Sequence, residues 1–139
     1  MSDERPAPRP TLHVCITCRK AGAENAPADD GAPTPGKQLF EALMDRAAAM
    51  GEDAPAHVLP TVCFAACERG CVASLSAPGK WAYLAGDLDP GHADDLMAYA
   101  AAYRTSTTGV VLRSGRPASL HQAIIARFPA PVSLKDAAE

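Results

Sequence analysis

Cysteine is the residue type in this chain whose spacing points most directly to chemistry. Three of the five cysteines fall within nine residues, Cys63-Phe-Ala-Ala-Cys67-Glu-Arg-Gly-Cys71, and the other two form Cys15-Ile-Thr-Cys18. The whole pattern is Cys15-x2-Cys18-x44-Cys63-x3-Cys67-x3-Cys71. A [2Fe-2S] cluster takes four thiolates, two per iron, commonly drawn from separate loops. Two short cysteine pairs meet that demand if the segments carrying them are neighbours in space. The same thiolates suit a tetrahedral zinc ion, for which Cys15-x2-Cys18 would be half of a site. Free cysteine is also a common core residue, yet five in two tight groups favour a metal or cluster site over buried structural thiols.

The elements that must position these thiols are readable from periodicity. Leu12, Val14 and Ile16 alternate with His13, Cys15 and Thr17, the period-two pattern of a half-buried strand ending at the first cysteine pair. Ala21 to Pro35 is rich in Ala, Gly, Pro and Asp with no period and reads as a long loop. Thr34-Pro35 is a helix start, threonine as N-cap and proline in the first turn. Leu39, Phe40, Leu43, Met44 and Ala47 follow at helical spacing, and Gly51 stops them. Val58 to Val62 is a second strand ending directly before Cys63. Its Pro60 lacks an N–H, which assigns it to an edge or a bulge.

After the cysteine cluster, Val72–Leu75 and Trp81–Leu84 flank Pro78-Gly79, a hairpin signal. Asp87-Leu-Asp-Pro90 starts a second helix carrying Leu96, Met97, Ala100 and Tyr103, to about Arg104. Val110 to Leu112 reads as a short strand, and Leu120, Ile124 and Phe128 as a third helix after Pro117. The order β, α, β, β, β, α with a C-terminal helical extension gives an α/β sandwich, helices covering a four-stranded mixed sheet. Residues 1–10 are expected to form a disordered tail, 11–129 one domain whose helical extension is 105–129, and 130–139 a second tail.

Composition narrows the function classes. A chain of 139 residues can bury its own core. A net charge of −3 lacks the basic face that nucleic-acid binding wants. No run of about 18 apolar residues exists to span a membrane, and the N-terminus carries no apolar h-region of a secretory signal. The expected compartment is the cytoplasm, where clustered cysteines bind metal or do redox chemistry rather than form disulfides. No Ser-His-Asp arrangement, P-loop or G-x-G-x-x-G fingerprint is present; an electron carrier rather than an enzyme is expected, with thiol oxidoreductase activity left open.

Cys63-x3-Cys67-x2-Gly70, the hairpin Pro78-Gly79-Lys-Trp81 and a closing helix resemble the thioredoxin-like [2Fe-2S] ferredoxins and the corresponding subunit of NADH dehydrogenase. Cys67-x2-Gly-Cys71 with Ala77-Pro-Gly-Lys-Trp81, Gly86-Asp-Leu-Asp-Pro90 and Ala101-x-Tyr103 resembles an uncharacterised bacterial family described as predicted metal-binding proteins. The likeness spans about residues 11–129 and implies a thioredoxin-like fold. It also implies a [2Fe-2S] cluster held by the loops after the first two strands, a small one-electron carrier, a redox partner protein and pairing as a homodimer. On that resemblance Cys63 and Cys67 match the second ligand pair, and Cys15 and Cys18 occupy the place of the first. The separation within the first pair is shorter than in those ferredoxins. Cys71 falls where they often have proline, and it is an alternative partner of Cys67 because its spacing equals that of Cys63.

Two other classes compete. Zinc would make this a structural, chaperone or sensor module using the same ligands. A thiol–disulfide oxidoreductase is suggested by Cys15-x2-Cys18, but the next helix begins some 16 residues after Cys18, which argues against an activating helix dipole. Arg19, Lys20 and Arg69 beside the ligands read as solvated charges. His13 and His57 flank strands, and His92 and His121 read as helix-surface residues. Trp81, Tyr83, Tyr99 and Tyr103 read as packing. Arg113, Arg116 and Arg127 read as an exposed helix face or a docking patch.

Overall fold

The computed structural model describes residues 9–17, 34–62, 64–65 and 69–130. Strand β1 is Thr11–Cys15, helix α1 Pro35–Met50, β2 His57–Thr61, β3 Ala73–Ser76, β4 Ala82–Ala85, helix α2 Ala93–Thr105 and β5 Ile124–Phe128. They form one five-stranded mixed sheet in the order β2-β1-β3-β4-β5. The β1–β2 pair is parallel and the other three pairs are antiparallel.

Register decides which face carries the core. Leu12 lies opposite Val58 on one side and Leu75 on the other, and Val14 lies opposite Ala73. Leu75 in turn lies opposite Tyr83, and Ala73 opposite Ala85. These seven residues share one face and all are buried, as the period-two alternation of a half-covered sheet requires. Helix α1 packs over β1 and β2 and against α2, inserting the fully buried Leu39 and Leu43. From α2, Tyr99 and Tyr103 meet Tyr83 edge-on, ring centres 5.7 Å and 6.3 Å apart. Such edge-to-face contacts add about 0.5–1.5 kcal/mol each to the burial of the rings.

The caps follow from local chemistry. The Thr34 hydroxyl accepts the Lys37 N–H at 3.1 Å, Pro35 occupies the first turn, and Gly51 closes α1 at a φ of 58°, where a Cβ is disfavoured. Before α2, Asp89 caps a 3-10 turn, Pro90–His92, its carboxylate accepting from Gly91 N–H while His92 Nδ1 accepts from Asp89 N–H at 3.0 Å. His92 is therefore a capping residue rather than a solvated surface histidine.

Three expectations need correction. The sheet has five strands, not four, and no α-helix follows Thr105 among the described residues. Two 3-10 turns, Arg113–Gly115 and Ala118–Leu120, lead into β5, and Val110 to Leu112 is not a strand. Leu120, Ile124 and Phe128 imitate a helical stripe. Ile124 and Ala126 to Phe128 instead pair with β4, with Ile125 as the extra residue of a bulge, and close the outer N–H and C=O groups that β4 would otherwise leave open.

Two measurements check this packing. Leu39→Ala is expected to cost about 2–5 kcal/mol, read as a lower denaturation midpoint with an unchanged denaturant slope. Burial pushes the Tyr103 hydroxyl up to about 12 from its ordinary 10, with a backbone hydrogen bond at Ala77 opposing and Tyr83 adding. A raised tyrosine pKa means the fold prefers the neutral phenol. Its stabilising share is therefore whole below about pH 10 and lost as pH climbs through about 12. Stability measured against pH is expected to fall across that window, together with a delayed rise of tyrosinate absorbance.

Candidate metal centre

Because β1 and β2 run parallel in adjacent positions, both end at the same end of the sheet. Strand β3, antiparallel to β1, begins there. The three segments that carry cysteine thus leave or enter the sheet at one place. Cys15 lies at the last position of β1, on the sheet face shared with Thr11 and His13, yet it is fully buried. Its Sγ donates to the Val62 carbonyl at 3.2 Å and lies 3.4 Å from Thr17 Oγ1. The Thr17 hydroxyl donates to the same carbonyl. Val62 turns its side chain outward, 67% exposed, while its carbonyl points at β1. In the chain, Thr17 directly precedes Cys18 and Val62 directly precedes Cys63. One carbonyl therefore joins the residues from which the two cysteine pairs continue.

Cys71 is held on the other flank. Its N–H donates to the Leu88 carbonyl at 3.4 Å and its carbonyl accepts from Leu88 N–H at 3.1 Å. Beside this bridge, the Cys15 N–H donates to the Val72 carbonyl at 3.0 Å. Asp87 N–H donates to the Arg69 carbonyl, and the Arg69 Nε meets Asp87 Oδ2 at 2.6 Å. Arg69 is thus ion-paired rather than solvated. Glycine at position 86 permits this approach. A Cβ there would come within 2.6 Å of Ile125 Cδ1 and 2.8 Å of the Arg69 carbonyl oxygen. Ala65 and Asp87 are, among the described residues, the non-glycine residues with positive φ, at 58° and 57°. Left-handed backbone costs an L-residue roughly 1–2 kcal/mol; Ala65 lies between Cys63 and Cys67, and Asp87 is tied to Arg69, two residues before Cys71.

Of the five predicted ligands, Cys15 and Cys71 are described, while Cys18, Cys63 and Cys67 lie outside the described residues, as do Arg19 and Lys20. Among the described residues no three of His, Cys, Asp and Glu gather into a metal-holding group. One argument from sequence is overturned. Although α1 starts far along the chain from Cys18, the Thr34 hydroxyl at its N-terminus donates to the Ile16 carbonyl. The positive end of the α1 dipole therefore returns to the first cysteine segment. Reading the chain by residue type missed the roles of Thr17, the Val62 carbonyl and the Arg69–Asp87 pair. Only the adjacency of Thr17 and Val62 to cysteines was there as a signal.

A model of the family described as "Protein of unknown function (DUF1636)" matches residues 12–130. The chain belongs to this family. No curated protein matched. Among solved structures it is similar to a thioredoxin-like [2Fe-2S] ferredoxin from Aquifex aeolicus, at 20% identity and a TM-score of 0.56 over 91% of this chain and 99% of that one. A second structure of that ferredoxin, the wild type, gives 18% identity and a TM-score of 0.54 over 86% and 99%. A cysteine-to-serine variant gives 17% identity and a TM-score of 0.52 over 84% and 98%. These likenesses establish the thioredoxin-like fold for this member of DUF1636.

The Gly86 approach gives a direct test. Gly86→Ala is expected to cost roughly 1–3 kcal/mol through overpacking and to loosen the Cys71–Leu88 bridge. Peptide-mapped alkylation in the native state should then label Cys71 faster than in the unaltered protein. An unchanged Cys71 rate would show that the close contact at Gly86 does not hold this segment.

Proposed function

We propose that this chain is a small iron–sulfur protein that carries one electron at a time and is not an enzyme. In this reading Cys15, Cys18, Cys63 and Cys67 hold a [2Fe-2S] cluster, with Cys71 beside them as an alternative ligand. The observation that carries it is the Val62 carbonyl, which takes the Thr17 hydroxyl and lies against Cys15 Sγ, joining the strand ends from which both cysteine pairs continue. Four thiolates from two tied strand ends fit the donor set of such a cluster. The ferredoxins of like fold are themselves described as [2Fe-2S] proteins, which adds support.

When bound, the cluster would supply a one-electron couple. The chain's own residues do the rest. Full burial of Cys15 keeps water from its sulfur, and exclusion of water is one lever on reduction potential. Thr17 and Thr34 tie both ends of the 18–33 segment to the sheet end. The N-terminus of α1, returned to Ile16, favours negative charge near the thiolates. Arg69 spends its charge on Asp87. The exposed side chains of Val62 and Leu59 offer apolar contact to a protein redox partner at this end. We place the protein in the cytoplasm and expect pairing as a homodimer. No described helix is long and apolar enough to cross a membrane.

The test is the visible spectrum of anaerobically purified protein, with iron, sulfide and zinc assayed on the same sample. Two irons and two sulfides per chain, with charge-transfer bands that bleach on reduction, are expected. Cys18→Ser, Cys63→Ser and Cys67→Ser should each lower the iron content, and Cys71→Ser should retain it. A colourless protein holding one zinc would overturn the carrier reading in favour of a structural or metal-handling module. Absence of both metals would turn it toward thiol–disulfide chemistry.

A further inference from the structure

A cavity of about 420 Å³ opens between β4, β5 and the segment after Gly109, on the strands farthest in sheet order from β2. Its volume falls in the range of small-molecule sites. One wall is apolar, from Val111, Ile124 and Ala126, and the polar groups are Arg116, His121 and Arg127. No Asp or Glu is among its described lining residues. Arg116 and Arg127, which read from sequence as an exposed helix face or a docking patch, lie on no helix and line this one hollow.

Each cation is pre-set. Arg116 Nε is buried with no hydrogen-bond partner among the described residues. Its backbone carbonyl accepts from His121 Nε2 at 3.0 Å, which pins the turn. A guanidinium stays charged and its N–H groups only donate, so a buried Nε without an acceptor carries an unmet desolvation cost. The Tyr99 hydroxyl nearby is likewise buried without a partner. Burial raises its pKa far above the ordinary range, with Tyr83 adding and the charge of Arg116 opposing the rise. Arg127 stacks over Trp81 with its guanidinium carbon 4.9 Å from the ring centre. Contact with the ring face restrains the guanidinium without using its N–H donors, which stay available to an oxyanion. The rim is fixed as well, because the Tyr83 hydroxyl accepts from Val111 N–H at 2.9 Å.

We propose that this cavity binds a small organic carboxylate, its oxygens on Arg116 and Arg127 and its apolar body against Val111, Ile124 and Ala126. Two guanidinium forks with no competing carboxylate select a planar oxyanion. The apolar wall distinguishes an organic acid from a bare inorganic anion. The site shares no residue with the cysteine end, so it stands or falls independently of the iron–sulfur reading.

The experiment is a titration of the purified full chain with hexanoate at constant ionic strength. It reads the emission of Trp81, the single tryptophan, and the arginine Nε–H resonances by NMR. Inorganic phosphate and hexanol are titrated in parallel. A saturable change with hexanoate is expected, with phosphate and hexanol weaker. Arg116→Gln and Arg127→Gln should each raise the hexanoate Kd by about tenfold or more, the loss of a charge-assisted contact. Thermal unfolding of both variants is recorded, and Arg127→Gln carries the test if Arg116→Gln fails to fold. Phosphate binding as tightly as hexanoate would overturn the organic acid, hexanol binding as tightly would overturn the anion site, and no saturable change would overturn both.

Discussion

The constraint on which the rest of the structure depends is the parallel pairing of β1 with β2. Two parallel neighbours cannot be joined by a tight turn, so the chain must cross over, and α1 is that crossover. The same pairing brings the C-terminal ends of both strands to one end of the sheet. There the Val62 carbonyl can receive both the Cys15 sulfur and the Thr17 hydroxyl. An antiparallel pair would have sent the two cysteine segments to opposite ends. Helix packing, loop closure by Thr34 and the sulfur-rich end are therefore consequences of a single choice of strand direction.

The remainder of the domain gives that end a stiff support. Tyr83 lies under two rings from α2 and ties its hydroxyl to both the N–H and the carbonyl of Val111. Tyr103 reaches past it to the Trp81 carbonyl. Lys80 lies over the Tyr103 ring and donates to the last carbonyls of α2. These contacts lock α2, β4 and the chain after Gly109 into one body. Left-handed backbone falls at Ala65, between Cys63 and Cys67, and at Asp87, which follows β4 and bonds the Arg69 carbonyl.

Much of this was legible in the residues because the signals are local. Alternation marked β1, Thr34-Pro35 and Gly51 bracketed α1, and Pro78-Gly79 placed the β3–β4 hairpin within a residue or two of its ends. The tyrosines were read as packing, and they are buried. What escaped was set by contacts distant in sequence. Ile124-Ile125 is too short an apolar run to tell strand from helix by period, and only the open edge of β4 decides it. The proximity of the α1 N-terminus to Ile16 is a contact between residues 18 apart in the chain, so counting residues from Cys18 misjudged it. Of the candidate site, the grouping of cysteines was visible at once. The atom that joins their strands is a main-chain oxygen, which no residue type announces.

Pro60 occupies β2, at the edge of the sheet. His57 N–H donates to the Pro10 carbonyl and the Thr61 carbonyl accepts from Ile16, so His57, Leu59 and Thr61 turn their main-chain groups toward β1. Pro60 faces outward, where its missing N–H costs the sheet nothing. Within β2 this leaves Val58 as the one outward N–H, and a visiting strand would find half of the donors absent. The edge nearest the cysteines is thereby poor at templating sheet growth. Self-association by continuous β-sheet is discouraged beside the cysteine segments, and that edge stays open to encounters made through side chains.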